Sequence, residues 1–118
     1  MSNFIDNIRF ANEGILFFLR TERNGRIQAV IAVLITALGF IVQLRSIEWC
    51  IVLGCIALTI SLEMVNTALE RVCLLLSKEY HPVVKIIKDV AAGAVWWASI
   101  FSAIMGLIIF IPHIKNLI

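Results

Sequence analysis

Charged residues are scarce in this chain of 118 residues. They make up 15% of it, against about 25% in soluble domains, whereas apolar residues reach 61% instead of about 45–50%. A globule of this size has too much surface to hide that apolar excess, so a soluble fold is excluded. We predict an integral membrane protein with a single domain over residues 1–118. The 10 basic and 8 acidic residues leave a formal charge of +2, which does not indicate a nucleic-acid partner.

The usual motifs for metals and nucleotides are also missing. The three cysteines have no metal-ligand spacing, and there is neither a GxxxxGK[ST] loop nor a kinase glycine-rich loop. If the protein uses ATP, it does not bind it with a soluble nucleotide fold.

Three apolar stretches predict three transmembrane helices. Residues 27–44 and 90–111 are each long enough to cross about 30 Å of hydrocarbon. The stretch 49–76 is also long enough, provided that its helix continues through two glutamates. Residues 3–20 instead combine an apolar stripe with charged residues, a pattern typical of an amphipathic helix in the membrane interface. The predicted fold is therefore an all-α membrane protein with one interfacial helix and three spans.

Lysine and arginine are distributed unevenly along this arrangement. Eight lie before the first span or between the second and third spans. Of the other two, one lies in the link between the first two spans and one in the C-terminal tail. The positive-inside rule then predicts a cytoplasmic N-terminus and a C-terminus outside.

Polar residues interrupt the second span along one face. Glu63, Asn66 and Glu70 are spaced by three and four residues, so they share a stripe of the helix. An ionisable residue at membrane depth is costly and by default indicates a functional site. The structural alternative is a polar seam that holds helices together. We predict that Glu63 is a general base and that Glu70, together with Glu22, binds a hard cation such as Mg²⁺.

Lys88 and Asp89 stand immediately before the third span. A lysine at a membrane boundary commonly only anchors its helix. Beside a metal site, however, it can also neutralise a transferring phosphoryl group.

Two runs of sequence resemble the prokaryotic diacylglycerol kinase family, which includes the undecaprenol kinases. They are EMVNTALE at 63–70 and KDVAAGAV at 88–95, and ERN at 22–24 matches as well. The resemblance covers nearly the whole chain. It implies a homotrimer in the bacterial plasma membrane, with shared active sites at the cytoplasmic face that transfer phosphate from ATP to a lipid hydroxyl.

The resemblance also implies roles for individual residues. Glu63 matches the catalytic base, Asn66 the residue that orients it, and Glu22 and Glu70 the carboxylates that bind Mg²⁺. The residues that match nucleotide contacts are Lys88, Asp89, Glu79, Tyr80 and His81. Mg²⁺ is therefore the expected cofactor and ATP the expected phosphoryl donor.

One position departs from the family signature. An aspartate usually follows the second glutamate by four residues, and this chain has Leu74 there. Three alternatives are open for Leu74: natural divergence, an engineered substitution or weakened activity. The NTA-x-ER stretch is more similar to the undecaprenol kinases, although no residue separates undecaprenol from diacylglycerol on physical grounds.

Two other functions use the same residues. A small ion-coupled membrane carrier would use Glu63 as its proton site, and a non-catalytic assembly protein would use the polar stripe to hold subunits together. A carrier has no need of Glu22, Lys88 and Asp89 together on one side of the membrane.

Overall fold

The computed structural model describes residues 3–76, 79 and 81–118. Four α-helices make up almost all of this part of the chain, and it contains no strand. They are α1 (Phe4–Thr21), α2 (Arg23–Val42), α3 (Ser46–Leu76) and α4 (Pro82–Leu117). Because α2, α3 and α4 are long and apolar enough to cross a membrane, the predicted all-α membrane fold is confirmed.

The link between α2 and α3 is shorter than the sequence predicts. We expected the first span to continue to residue 44, but α2 ends at Val42 and α3 begins at Ser46 rather than at Trp49. The backbone turns at Gln43, which has a left-handed conformation with φ of 57°. Helices commonly end with a residue in this conformation.

The third spanning helix is longer than the predicted stretch 90–111. Its first turn starts at Pro82, because the His81 side chain accepts a hydrogen bond from the Val83 N–H at 3.2 Å and caps the helix. Proline suits the first helical position, where its missing N–H has no helical partner to lose. Residues 82–89, which we expected to precede the span, therefore belong to α4.

Helices α3 and α4 form the most extensive interface and run antiparallel. The Oγ atoms of Thr59 and Ser102 lie 3.1 Å apart, and Nε2 of His113 lies 3.0 Å from Oε1 of Glu48. We call the end with the Gln43–Arg45 link the turn end, and the end where α1 meets α2 the elbow end. The buried apolar cluster lies toward the turn end, and its members are Val42, Leu44, Val52, Ile109 and Phe110.

Helix α1 contacts both α2 and α3 at the elbow end. Its Asn3 cap accepts a hydrogen bond from the Asp6 N–H at 2.8 Å, and Phe18 is its buried residue. The guanidinium of Arg71 lies 5.2 Å from the Phe17 ring, which links the helix to α3. Helix α1 therefore frames one side of the region where α3 carries its polar stripe.

Candidate active site

Most of the polar stripe of α3 is buried, and Glu70 at its end is half-buried. Glu63, Asn66 and Thr67 are 5%, 7% and 6% exposed. The amide Nδ2 of Asn66 donates to Oε1 of Glu70 at 3.3 Å, and the same side chain interacts with the carboxylate of Glu63. Asn66 thus connects the two glutamates.

Two oxygen atoms in this stripe have no hydrogen-bond partner within the described residues. They are Oδ1 of Asn66 and Oγ1 of Thr67, and both are buried. Buried polar atoms in native proteins are nearly always satisfied, so unpaired ones require an explanation. A seam that holds the helices of one chain together would pair them across helices. These two oxygens are therefore available to accept hydrogen bonds from a ligand.

Glu22 approaches the same region from the junction of α1 and α2. Its backbone is extended, with φ of −105° and ψ of 114°, and its side chain makes no capping hydrogen bond to α2. Its N–H donates to the Phe18 carbonyl at 2.9 Å. The half-buried carboxylate of Glu22 therefore does not cap α2. This carboxylate and that of Glu70 both interact electrostatically with Glu63. The structure thus brings Glu22 and Glu70, which the sequence grouped with Glu63, each within electrostatic range of Glu63.

The carboxylates of this region suit Mg²⁺ better than a metal that needs three or more protein ligands. Among the residues that the structure describes, no three His, Cys, Asp or Glu side chains could together hold a metal ion. Mg²⁺, however, keeps several waters and is usually held by one or two carboxylates plus substrate phosphates. Glu22 and Glu70 supply such carboxylates, and the unpaired oxygens of Asn66 and Thr67 are hard acceptors for metal-bound water. These residues therefore fit the cofactor that the sequence analysis expected.

The first turns of α4 lie at the same end of the bundle. The antiparallel register set by Thr59 and Ser102, continued toward the elbow end, brings Lys88 to within about one helical turn of the level of Glu70. Lys88 is exposed. A lysine in this place can reach an anion that extends out of the carboxylate site into water.

The other expected nucleotide residues lie around this α4 terminus. Asp89 forms an ion pair with Lys85, one turn before it, and not with its neighbour Lys88. His81 uses Nδ1 to cap α4, and its side chain is exposed, as is that of Glu79. Tyr80 lies outside the described residues.

Sequence reasoning overlooked one residue of the site. Thr67 stands one turn after Glu63 and is as buried as the two polar residues predicted beside it. Thr67 is part of the EMVNTALE run at 63–70, and its spacing of four from Glu63 places it on the same helix face. Spacing alone would have identified it.

Comparison with known proteins identifies the family of this chain. The family model of prokaryotic diacylglycerol kinase matches residues 9–110. The chain belongs to the prokaryotic diacylglycerol kinase family. The undecaprenol kinase of Bacillus subtilis is 40% identical over 114 residues, which are 97% of this chain and 93% of that protein. The diacylglycerol kinase of Synechocystis sp. is 34% identical over 116 residues, 98% of this chain and 66% of that protein.

The protein is thus a lipid kinase of the diacylglycerol and undecaprenol kinase type, and the resemblance stated from the sequence is confirmed. Membership of this kinase family favours phosphoryl transfer over the ion-coupled carrier. It also gives the buried acids of α3 a chemical context, because a kinase needs a proton acceptor and a means of offsetting phosphate charge.

Proposed function

We propose that the protein transfers the γ-phosphoryl group of MgATP to the hydroxyl of a membrane lipid, with Glu63 as the base. The observation that carries the proposal is the burial of Glu63 beside the carboxylates of Glu22 and Glu70. The lipid O–H proton passes to the Glu63 carboxylate while the hydroxyl oxygen bonds to the γ-phosphorus. The bond from that phosphorus to the β–γ bridging oxygen breaks, and ADP leaves.

Glu22 and Glu70 would hold Mg²⁺ between them. When bound, the ion would offset the negative charge of the phosphates. Asn66 fixes the Glu70 carboxylate through its 3.3 Å hydrogen bond and interacts with Glu63, so it would orient both the ligand and the base. Most of the catalysis is then positioning and electrostatics, as is usual for phosphoryl transfer.

The residues around the start of α4 would bind the nucleotide. Lys88 would neutralise the transferring group, and the remaining contacts would come from Asp89, Glu79, Tyr80 and His81. Their exposure, where the structure describes it, suits a soluble co-substrate that arrives from water. A lipid hydroxyl reaches Glu63 from the membrane, so the two substrates approach from different sides.

The elbow end would face the cytoplasm of a bacterial cell, with the N-terminus inside. Eight of the ten lysine and arginine residues belong to the segments placed on that side, and ATP is a cytoplasmic substrate. A homotrimer with sites shared between subunits would cover the remaining open surface. Only 17% of the apolar stretch of each spanning helix is buried within one chain. The exposed remainder leaves ample surface for other copies and for lipid.

Undecaprenol is the lipid that we propose, with diacylglycerol as the second candidate. The relative named undecaprenol kinase matches over 93% of its own length at 40% identity, and the relative named diacylglycerol kinase matches less closely. Both lipids present a primary hydroxyl on a hydrophobic body, so the same chemistry serves either.

The test is transfer of labelled phosphate from γ-labelled ATP to lipid in mixed micelles. Undecaprenol and diacylglycerol compete as acceptors, and the preferred product identifies the substrate. Glu63→Gln should reduce the rate about 10²–10⁴-fold, because the base is lost while the size of the side chain is kept. Glu13→Gln is the matched control, since Glu13 is an exposed carboxylate of α1, and it should retain full activity. An active Glu63→Gln enzyme would contradict the assignment of the base.

A further inference from the structure

Arg26 of α2 reaches back across the elbow to the end of α1. Its Nη1 donates to the Arg20 carbonyl at 2.8 Å and to the Leu19 carbonyl at 3.1 Å. Both carbonyls belong to the last turn of α1, where a helix has no partners of its own for its C=O groups. A cation is also favourable at the negative end of the helix dipole. Arg26 therefore fastens the end of α1 to the first turns of α2.

The same elbow is closely packed on its inner side. Phe18 is 3% exposed and lies against Gly25, so close that a Cβ at Gly25 would be 2.4 Å from Cζ of the ring. Between these two contacts stands Glu22, the single residue that separates the helices. The direction of its carboxylate therefore depends on the angle between α1 and α2.

Within the part of the chain that the structure describes, the Glu22 side chain makes no hydrogen bond or ion pair that would fix it. It makes no capping hydrogen bond, yet its carboxylate interacts electrostatically with Glu63, an interaction between like charges that costs free energy unless something offsets it. A carboxylate that points toward another one against this repulsion is best held by a rigid backbone. Arg26 is the residue whose hydrogen bonds supply that rigidity across the junction.

We propose that Arg26 is a positioning residue for the metal-binding carboxylate of Glu22. Its two hydrogen bonds to the α1 carbonyls set the elbow so that Glu22 faces Glu63 and Glu70 instead of turning out to water. The inference rests on the proposed function, since it presumes that Glu22 binds the metal. Groups that orient a metal ligand without touching the metal commonly change metal affinity about 10–100-fold when they are removed.

The experiment measures Mn²⁺ binding, in place of Mg²⁺, by electron paramagnetic resonance in micelles with a non-hydrolysable ATP analogue. No turnover is needed for this readout. Arg26→Gln should weaken Mn²⁺ binding about 10–100-fold, and Arg26→Lys, which keeps the charge and a donor, should restore part of it. Arg23→Gln is the matched control, because Arg23 is an exposed arginine of the same first turn of α2, and it should leave Mn²⁺ binding unchanged.

Several results would separate the two proposals. If Glu22→Gln leaves Mn²⁺ binding unchanged, the metal role of Glu22 is wrong and the proposed function loses its cofactor site. If Glu22→Gln weakens binding but Arg26→Gln does not, only the positioning role is overturned. Weaker binding of the ATP analogue to Arg26→Gln without metal would show a direct phosphate contact and overturn it as well.

A general loss of structure is distinguished by excess metal and by thermal unfolding. If Arg26→Gln merely destabilises the fold, its thermal midpoint falls and added Mn²⁺ does not restore the bound signal, which would overturn the proposal. If excess Mn²⁺ restores the signal and the activity while the midpoint holds, the effect lies in the affinity for metal, as a positioning role requires.

Discussion

Replacing Gly25 with alanine would push a methyl group into the ring of Phe18. An ideal Cβ at Gly25 would lie 2.4 Å from Cζ and 2.6 Å from Cε2 of that ring, whereas carbon atoms pack at about 3.5–4.0 Å. The ring is almost completely buried, so it has little room to swing away. Helix α1 must therefore shift against α2, and Glu22 must move with the elbow.

Two opposing effects set the size of the change in stability. Forcing an extra carbon into a packed site typically costs about 1–3 kcal/mol, and replacing glycine by alanine inside a helix returns about 1 kcal/mol. The free energy of unfolding should therefore fall by up to about 2 kcal/mol, measured by denaturant titration in micelles. Because Glu22 moves, the Mg²⁺ concentration for half-maximal kinase activity should also rise.

Gly14→Ala provides the matched control for the same chemical change. Gly14 lies within α1, and nothing stands within 4 Å of an ideal Cβ there, so alanine should stabilise the protein by about 1 kcal/mol. Adding Phe18→Leu to Gly25→Ala should recover the metal dependence by shortening the clashing side chain. Equal stabilisation by the two alanine substitutions would refute the close contact between Gly25 and Phe18.

Four further substitutions test other positions. Asn66→Leu should raise the Mg²⁺ requirement about 10–100-fold, because it removes the amide that holds Glu70, and an unchanged requirement in a Mg²⁺ titration would contradict that role. Glu48→Gln and His113→Gln should each lower the thermal midpoint. Because the two side chains share one partly buried contact, the double variant should lose less than the sum of the two single losses. Strictly additive losses would show that the contact contributes nothing. Leu74→Asp should lower the Mg²⁺ requirement by returning a carboxylate one turn beyond Glu70, and an unchanged kinase rate and Mg²⁺ titration would show that the position is unimportant here.

The pair of Glu48 and His113 illustrates a feature that no local pattern reveals. Glu48 is buried at the turn end, where Oε1 also accepts a hydrogen bond from the Arg45 N–H at 3.0 Å. Its histidine partner comes from the far end of α4. Only the antiparallel register of α3 and α4 brings the two together, so this contact could not be predicted from spacing within either helix.

Helix ends were predicted less well than helices. The apolar runs identified all three spans, because a stretch of about 20 apolar residues has few alternatives to crossing a membrane. The start of α4 was wrong because its first turns carry charges and were assigned to the segment before the span. The end of α2 was wrong because the left-handed turn at Gln43 leaves no strong signal in a residue that is neither glycine nor asparagine.

The sequence alone determined that this is a helical membrane protein and that one face of its second span carries acids, because apolar run length and the helical repeat are local properties. It also supplied the family, through the signature around Glu63 and Asn66. The tertiary structure decided which distant groups interact: it places Glu22 within electrostatic range of Glu63, and it bonds Arg26 to the end of α1 across the elbow. These contacts depend on the angle between two helices, and that angle is set by packing, which spacing along the chain does not encode.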